Sequence, residues 1–368
     1  MTSLVKAQSG LDGIETYVPG KPVEEVQREF GLTDVIKLAS NENPQAPAPK
    51  AMAAIEAAVA QLNFYPDGES FELRRALAAH LDVRPEQVAV GNGADGLIME
   101  TCMAYLEEGD EVIVSRSSFP VYDVYASAMR AHLVKTPLRD YGLDLEAMAA
   151  AVTPQTKLIF VCNPNNPTGT LVTATEVEAF VRSVPEDVLV VFDEAYYDFV
   201  DSPDYPQSLR YVRGGRANVM VLRTFSKVYG LAGIRLGYAV ADLEVFAPLH
   251  KIREPFAVNS LAQVAGVAAL QDTEYLQRSV AANAAGRKYL YRELGRLGLS
   301  FVRSHTNFLL VSIGPQAADV ASRLLAAGVI VRPCGGYELP QCLRITVGDP
   351  AQNARLIEAL QASLDTER

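Results

Sequence analysis

The sequence lacks the patterns that would indicate a metal-binding or disulfide-bonded protein. Its 368 residues include 4 cysteines, none in a CxxC spacing, and 4 histidines, none in an HExxH or HxH pair. Zinc sites and redox motifs are normally recognised by such spacings. We therefore predict neither a metal site nor a disulfide scaffold.

Positive charge and long hydrophobic runs are also scarce. The chain has 33 Lys and Arg residues against 44 Asp and Glu residues, which gives a net charge of −11. This acidic balance argues against a nucleic-acid partner, because such partners normally bind a basic surface. No uncharged apolar run approaches the ~18–20 residues that span a bilayer, so no membrane segment is predicted. The longest uncharged stretch, residues 255–271, is rich in Ala and Gly, and we interpret it as a buried helix.

The composition is that of an ordinary globular protein. Apolar residues make up 49% of the chain, and 25 glycines and 21 prolines are spread along its length. The N-terminus has no apolar segment followed by a small-residue cleavage site, so secretion is not expected. A chain of this length accommodates roughly two domains. We therefore expect a reduced, cytoplasmic protein.

Short β-branched runs alternate with helical stretches from Val88 to Thr224. The predicted strands are Val88–Val90, Glu111–Ser115, Leu158–Cys162, Val188–Asp193 and Asn218–Arg223. They are largely apolar with little alternation, as expected for strands covered on both faces. The spacing from Leu158 to Val188 suits a βαβ unit with a crossover helix at Thr173–Val184. This pattern predicts an α/β domain with a mainly parallel central sheet.

The remaining segments suggest an arm and a second, smaller α/β domain. We predict an N-terminal arm at 1–35, a large domain at 36–274 and a small C-terminal domain at 275–368. The C-terminal part combines a long helical stretch, Thr273–Leu297, with strands at Phe301–Ser312, Val329–Arg332 and Leu343–Val347.

The segment Gly91–Gly96, GNGADG, follows a strand and opens a helix. It fits GxGxxG by letter, but a dinucleotide site also needs an acid at the end of the next strand. Asp110 and Glu111 have the right spacing, yet they precede that strand. A glycine-rich turn at a helix start still presents free N–H groups to an anion. We therefore favour a phosphate site over a dinucleotide site or a plain tight turn.

Three other strand ends carry polar groups. Asp193 ends an apolar strand where open α/β sheets bind ligands, although a structural strand-end acid is the alternative. Lys227 lies in a low-charge Thr-Phe-Ser-Lys segment with Arg235 eight residues on. Such a lysine can form a Schiff base, and hydroxyls with a guanidinium suit a phosphate monoester, although a solvated lysine and a structural arginine are the alternative. The loop NPNNPTG, residues 163–169, either directs an asparagine into the site or only connects elements.

The order GNGAD, NPNNPTG, DEAYYDF and TFSK followed by an arginine resembles the aspartate-aminotransferase-like superfamily of pyridoxal-phosphate enzymes. Within it, the chain is most similar to the histidinol-phosphate aminotransferase family. The segments that carry this closer similarity are Tyr17–Pro22, Lys37–Pro44, Tyr65–Asp67 and Cys342–Gly348. The resemblance spans essentially the whole chain. It implies the fold of that superfamily, pyridoxal 5'-phosphate as cofactor and a homodimer with shared active sites.

The resemblance also implies roles for individual residues. Lys227 matches the Schiff-base lysine, Asp193 the partner of the pyridine nitrogen, and Tyr196 a ligand of the ring oxygen. The other cofactor contacts implied are Gly93, Ala94, Asp95, Phe119, Asn166, Thr224, Ser226 and Arg235, with Tyr65 reaching the neighbouring subunit's cofactor. The substrate contacts implied are Tyr17, Asn41, Arg332 and Arg344.

The implied reaction interconverts histidinol phosphate and 2-oxoglutarate with imidazole-acetol phosphate and glutamate, a step of histidine biosynthesis. The chain departs from the family's usual residues within the segment 41–49, at Gly96 and at Ala257, which bear on the substrate rather than on the chemistry. An aromatic-amino-acid aminotransferase and a phosphothreonine-type decarboxylase would keep the same cofactor residues. A non-catalytic nucleotide-binding module is the alternative of another class.

Overall fold

The computed structural model describes residues 7–12, 14 and 20–365. Tyr17, a predicted substrate contact, lies outside the described residues. The α-helices of the described chain are Val23–Phe30, Pro49–Ala58, Phe71–Leu81, Gly93–Tyr105, Val121–Ala128, Leu145–Ala150, Ala174–Ser183, Leu209–Arg213, Leu243–Ile252, Ser260–Leu270, Thr273–Arg296, Ala317–Ala326 and Pro350–Asp365.

A seven-stranded, mainly parallel sheet forms the centre of the large unit. Its strands, in spatial order, are Val88–Asn92, Leu236–Val240, Val219–Thr224, Leu189–Asp193, Thr156–Cys162, Glu111–Ser115 and His132–Thr136. The five strands predicted from sequence are confirmed, with bounds that differ by at most two residues. The two others were not predicted. One of them, Leu236–Val240, runs antiparallel to both of its neighbours.

Helices cover this sheet on both faces. Along the strand Thr156–Cys162, Ile159 and Val161 belong to one apolar cluster, whereas Phe160 and Cys162 belong to another on the opposite face. The first cluster includes helices Phe71–Leu81 and Ser260–Leu270, and the second includes Gly93–Tyr105. Burial on both faces explains why these strands are apolar throughout.

The smaller unit contains a four-stranded antiparallel sheet. Its strands, in spatial order, are Ser300–Phe301, Phe308–Ser312, Cys342–Thr346 and Arg332–Pro333. Leu290 and Leu294 of the long helix Thr273–Arg296 pack in its core with Leu309 and Ile345.

Three sequence predictions need correction. The stretch 301–312 is two strands, because residues 302–307 leave the sheet between them. The stretch 329–332 is divided too, since Val329–Ile330 pairs with Ile36–Lys37 and Arg332–Pro333 with the four-stranded sheet. The helix expected over 255–271 begins only at Ser260, because the side chain of Asn259 caps it by accepting from the Ala262 N–H at 2.8 Å.

The predicted domain limits stay a prediction, and two contacts bear on them. The segment Ile36–Lys37, assigned to the large domain, pairs with Val329–Ile330 of the smaller unit. The long helix joins both cores, because Tyr275 packs in the large unit and Leu290 in the smaller one.

No helix in the described part of the chain is long and apolar enough to cross a membrane. The cytoplasmic location stays a prediction.

Candidate active site

A cavity of about 390 Å³ opens where the carboxyl ends of the central strands meet. Strands Thr156–Cys162, Leu189–Asp193 and Val219–Thr224 each contribute a lining residue at or just beyond their ends. Residues 40–42 close one side, and Tyr337 and Arg344 approach from the smaller unit. A cavity of this size, enclosed by two units, is typical of a small-molecule site.

Asp193 lies on the wall of this cavity and is 4% exposed. One carboxylate oxygen accepts a 2.6 Å hydrogen bond from the Tyr122 hydroxyl, and the other accepts from the Ala195 N–H at 3.1 Å. Burial raises the pKa of Asp193 to about 6, although these two donors oppose the shift. A cationic group bound beside the carboxylate would offset this desolvation.

Lys227 lines the same cavity from the loop after strand Val219–Thr224. Its Nζ atom donates to the carbonyl oxygen of Ser40 at 3.3 Å. Burial, followed by the positive charge of Arg344, lowers the pKa of Lys227 to about 8. A substantial neutral fraction near physiological pH makes this amine available as a nucleophile or a base.

Hydrogen-bond donors suited to an anion lie at the start of helix Gly93–Tyr105, together with the Asp95 carboxylate. Ala94, Asp95, Thr224, Ser226 and Arg235 all line the cavity there. The Arg235 guanidinium lies 3.4 Å from the Asp95 carboxylate, and both side chains are 44% exposed. The N-terminus of the helix and the Arg235 guanidinium would both stabilise an anion bound between them.

Gly93 leaves room for the Arg235 side chain, and its own N–H is hydrogen-bonded within the chain. A Cβ at Gly93 would lie 2.5 Å from the Nη2 atom of Arg235, so any side chain there would require the guanidinium to move. Gly93 also has a φ of +73°, which a side chain would disfavour. Its N–H donates to the Arg235 carbonyl oxygen at 3.1 Å. This N–H is therefore already hydrogen-bonded within the chain, and its predicted contact with a phosphate stays a prediction.

Arg344 connects the two units at the cavity. Its Nη1 atom donates to Asn166 Oδ1 at 2.6 Å and to the Tyr337 hydroxyl at 3.1 Å, and Nη2 donates to the Ala39 carbonyl at 2.6 Å. The side chain is only 3% exposed. These hydrogen bonds hold the guanidinium beside the Asn166 amide at the cavity wall.

Tyr196 and Asn41 form a second polar pair on the wall. The Asn41 Nδ2 atom donates to the Tyr196 hydroxyl at 2.9 Å, and both side chains are buried. Phe119 also lines the cavity and contacts the Tyr122 ring edge-to-face at a centroid distance of 5.6 Å. The structure thus brings together most of the residues predicted from the sequence.

Three predicted residues that the structure describes, Gly93, Tyr65 and Arg332, do not line this chain's cavity. Tyr65 is 82% exposed and stacks on Phe256 at a centroid distance of 4.6 Å. Arg332 is half-buried on the strand beside Arg344, with which it is paired in register.

Several residues of the site were not predicted. They are Tyr122, which donates to Asp193, and the cavity-lining residues Ser40, Glu42, Cys162, Ala195, Ala232, Gly233 and Tyr337. Tyr122 lies on a helix and Tyr337 in a short helical turn of the smaller unit. Neither belongs to a motif at a strand end, so the sequence carried no signal for them.

Arg223 and Glu194 form a buried ion pair next to the ends of two central strands. The Arg223 guanidinium donates to Glu194 at 2.9 Å and 2.8 Å, and the two side chains are 8% and 1% exposed. The guanidinium carbon also lies 3.5 Å from the centre of the Tyr197 ring. This pair links Glu194, the residue after Asp193, to the neighbouring strand.

The sheet order, the strand-end cavity and its lysine and aspartate are those of a pyridoxal-phosphate aminotransferase fold. The family model of class I and II aminotransferases matches residues 33–360. The chain therefore belongs to the class I and II aminotransferase family.

Its relatives identify a closer group within that family. The chain is 48% identical to the histidinol-phosphate aminotransferase of Moorella thermoacetica, over 99% of this chain and 94% of that protein. It is 49% identical to histidinol-phosphate aminotransferase 2 of Ralstonia nicotianae, over 95% of each. The crystal structure of the Sinorhizobium meliloti histidinol-phosphate aminotransferase with pyridoxal 5'-phosphate matches with a TM-score of 0.92 and 30% identity, over 100% of both chains.

Proposed function

We propose that this chain is a pyridoxal-phosphate-dependent aminotransferase acting on histidinol phosphate with 2-oxoglutarate, giving imidazole-acetol phosphate and glutamate in histidine biosynthesis. The proposal rests on one observation, which is that Lys227, Asp193 and Arg344 line the same cavity. Relatives at 48% identity over almost the whole chain support the substrate.

The residues of the cavity fit pyridoxal phosphate. Asp193 is a buried acid whose pKa is raised to about 6 by burial, and a protonated pyridine nitrogen would supply the missing cation. Ser226, Arg235 and the start of helix Gly93–Tyr105 would hold the phosphate. Tyr196 and Asn166 offer donors for the ring oxygen, and Phe119 offers an aromatic face.

The bound cofactor would supply an electron sink for the carbanion formed when a substrate's Cα loses its proton. Lys227 would link to the cofactor and, once released, would move the proton at Cα, for which its lowered pKa is suited. Asp193 would keep the pyridine nitrogen protonated, and Arg344 would orient the substrate through its anionic group.

Arg332 supports a phosphate-bearing substrate. It is the direct register partner of Arg344 in an antiparallel pair, and such partners extend their side chains from the same face of a sheet. Two guanidinium groups on one face suit a phosphate dianion better than a single carboxylate.

The test of the substrate is kcat/KM for histidinol phosphate and for phenylalanine, in the wild type and in Arg332→Ala. We expect histidinol phosphate to be preferred and Arg332→Ala to lower its kcat/KM roughly 10- to 100-fold. The exposed Arg303→Ala serves as control. A preference for phenylalanine that Arg332→Ala leaves unchanged would instead favour the aromatic-amino-acid aminotransferase.

We also infer a homodimer with shared active sites. Val59, Leu62, Phe64, Tyr65 and Phe71 are 50%, 53%, 70%, 82% and 57% exposed. Exposed apolar side chains clustered along one segment are typical of a protein interface. Tyr65 would then complete the cofactor phosphate site of the other subunit.

Subunit mixing tests the shared site. Lys227→Ala chains would be inactive and Tyr65→Ala chains weakly active, whereas their mixture would form one site with both native residues. We expect activity to rise on mixing. An unchanged sum of the two activities, or a fully active monomer in sedimentation, would contradict the shared site.

A further inference from the structure

Glu338 of the smaller unit contacts the large unit at the edge of the active site. It directly follows Tyr337, which lines the active-site cavity and accepts a hydrogen bond from Arg344. The Glu338 carboxylate lies 3.6 Å from the Arg116 guanidinium and 3.7 Å from the Nζ atom of Lys135. One carboxylate of the smaller unit is thus paired with two cations of the large unit.

The backbone conformation of Glu338 is one that normally favours glycine. Its φ is +60°, in the left-handed region, where a side chain is disfavoured. A residue held in such a conformation has to be stabilised by the interactions that surround it. The two ion pairs are interactions of this kind, and they involve the side chain. The position therefore indicates a role for the carboxylate.

Both cations are attached to the central sheet of the large unit. Lys135 lies on the edge strand His132–Thr136, and Arg116 directly follows the neighbouring strand Glu111–Ser115. Lys135 also pairs with Asp123 at 2.7 Å, but Asp123 belongs to the large unit, so this pair does not cross between the units. The ionic contact between the units therefore consists of the two pairs made by the carboxylate of the smaller unit.

Both sides of this contact lead directly into the active site. In the large unit, Arg116 begins a short segment that reaches Phe119, an aromatic residue of the cavity wall. Within that segment the Ser118 hydroxyl donates to Asn165 at 2.9 Å, which attaches the segment to a second loop of the site. In the smaller unit, Tyr337 forms part of the cavity wall. The contact therefore joins two walls of the cavity that come from different units.

We propose that Glu338 is a positioning residue, which holds Tyr337 in the active site by pairing with Arg116 and Lys135 across the two units. Tyr337 in turn keeps the guanidinium of Arg344 at the cavity wall through its hydroxyl. The contact between the units does not depend on the reaction, whereas its effect on the kinetics rests on the proposed function.

The expected effect is larger on substrate binding than on the chemical step. Lys227 and Asp193, which would carry out the chemistry, both belong to the large unit. Arg344, which would bind the anionic group of the substrate, belongs to the smaller unit. Because single, partly exposed ion pairs contribute little, the loss of two of them should change KM severalfold rather than by orders of magnitude.

Two variants of Glu338 separate this role from a merely structural one. Glu338→Gly removes the carboxylate and relieves the left-handed backbone, so the midpoint of thermal unfolding should not fall appreciably. We expect KM for histidinol phosphate to rise about three- to tenfold and kcat to change less than about twofold. Glu338→Gln, which keeps the shape of the side chain, should act in the same direction.

Asp82→Gly is the matched control for Glu338→Gly. Asp82 is an exposed acid with a φ of +52°, and it does not line the cavity. The control therefore removes a carboxylate from the same backbone conformation at a distant position, and KM should not change.

Removal of the two cations tests the pairing itself. Arg116→Gln and Lys135→Gln together should raise KM about as much as Glu338→Gln does. Adding Glu338→Gln to this double variant should then change KM by less than about twofold, because the carboxylate no longer has a partner. A full further increase would show that the carboxylate acts without these cations, which would contradict the proposal.

Hydrogen exchange tests the contact without the reaction. In the cofactor-loaded, full-length protein, the amides of residues 335–341 should exchange at least about twofold faster in Glu338→Gln than in the wild type. In about 1 M sodium chloride, which screens exposed charges, this difference should shrink. Unchanged exchange in Glu338→Gln, or an unchanged KM in both Glu338 variants, would overturn the proposal. A wild type that does not convert histidinol phosphate would instead contradict the proposed function, and exchange would then decide whether the contact holds the two units together.

Discussion

The Nζ atom of Lys227 donates a 3.3 Å hydrogen bond to the carbonyl oxygen of Ser40, and this contact joins the end of a central strand to the 40–45 loop. The carbonyl is an acceptor that carries no charge. It therefore orients the amine without stabilising its protonated form as a carboxylate would. The lysine is held in the cavity with its pKa lowered to about 8 by burial.

The first prediction concerns the linkage to the cofactor. Lys227→Ala should retain pyridoxal phosphate through the phosphate contacts but give no covalent adduct after borohydride reduction, and transamination should be lost. Mass spectrometry of the reduced protein measures the adduct. The exposed Lys251→Ala is the control and should react as the wild type does. An adduct that persists in Lys227→Ala would reject the assignment.

The second prediction concerns pH. Only the neutral amine attacks an aldehyde, so the rate at which cofactor-free protein captures pyridoxal phosphate should follow the deprotonation of Lys227. With a pKa of about 8, this rate should rise about tenfold between pH 7 and pH 9 and then level off. Stopped-flow absorbance measures it. A rate still rising steeply up to pH 10 would indicate an ordinary lysine pKa.

The third prediction separates function from stability at Asp193. Asp193→Asn removes the negative charge beside the pyridine nitrogen, so kcat should fall by orders of magnitude. Folding raises the pKa of Asp193 to about 6. The free energy of unfolding of the cofactor-free protein should therefore fall as the pH rises from about 4 through 6, because the folded state releases this proton less readily. The cofactor-free variant should therefore be at least as stable as the wild type at pH 8.

The measurements for Asp193→Asn are steady-state kinetics and urea unfolding. Asp123→Asn is the matched control and should keep its activity. Asp123 is partly exposed, lies outside the cavity and forms an ion pair with Lys135 at 2.7 Å. Turnover of Asp193→Asn near that of the wild type would contradict the role of the acid.

The fourth prediction concerns the buried pair Arg223–Glu194. Glu194→Leu leaves the guanidinium without its partner and should lower the free energy of unfolding by about 3–5 kcal/mol. The double variant Glu194→Leu/Arg223→Met should recover much of this loss, because no buried charge remains. Urea unfolding of cofactor-free protein measures both.

The control for this pair is Glu72→Ala, which breaks an exposed contact with Arg75 at 3.5 Å. Its effect should stay below about 1 kcal/mol. Equal losses for Glu72→Ala and Glu194→Leu would show that burial does not govern the strength of the inner pair.

The sequence by itself determined which residues stand at the ends of the central strands. Strands covered on both faces must be apolar throughout, so an acid, an asparagine loop or a lysine directly after one is conspicuous. The carboxyl ends of parallel strands share one edge of a sheet. Asp193, Asn166 and Lys227 could therefore be predicted to meet, although their strands lie far apart along the chain.

Only the tertiary structure decided what surrounds those residues. The Tyr122 hydroxyl, the Ser40 carbonyl and Tyr337 reach the cavity from a helix, a loop and the smaller unit. The antiparallel strand Leu236–Val240, which follows Arg235 and inserts between two parallel strands, was also not evident. Local periodicity shows which face of an element is buried. It does not encode strand order or the long-range hydrogen bonds that form only when distant elements pack together.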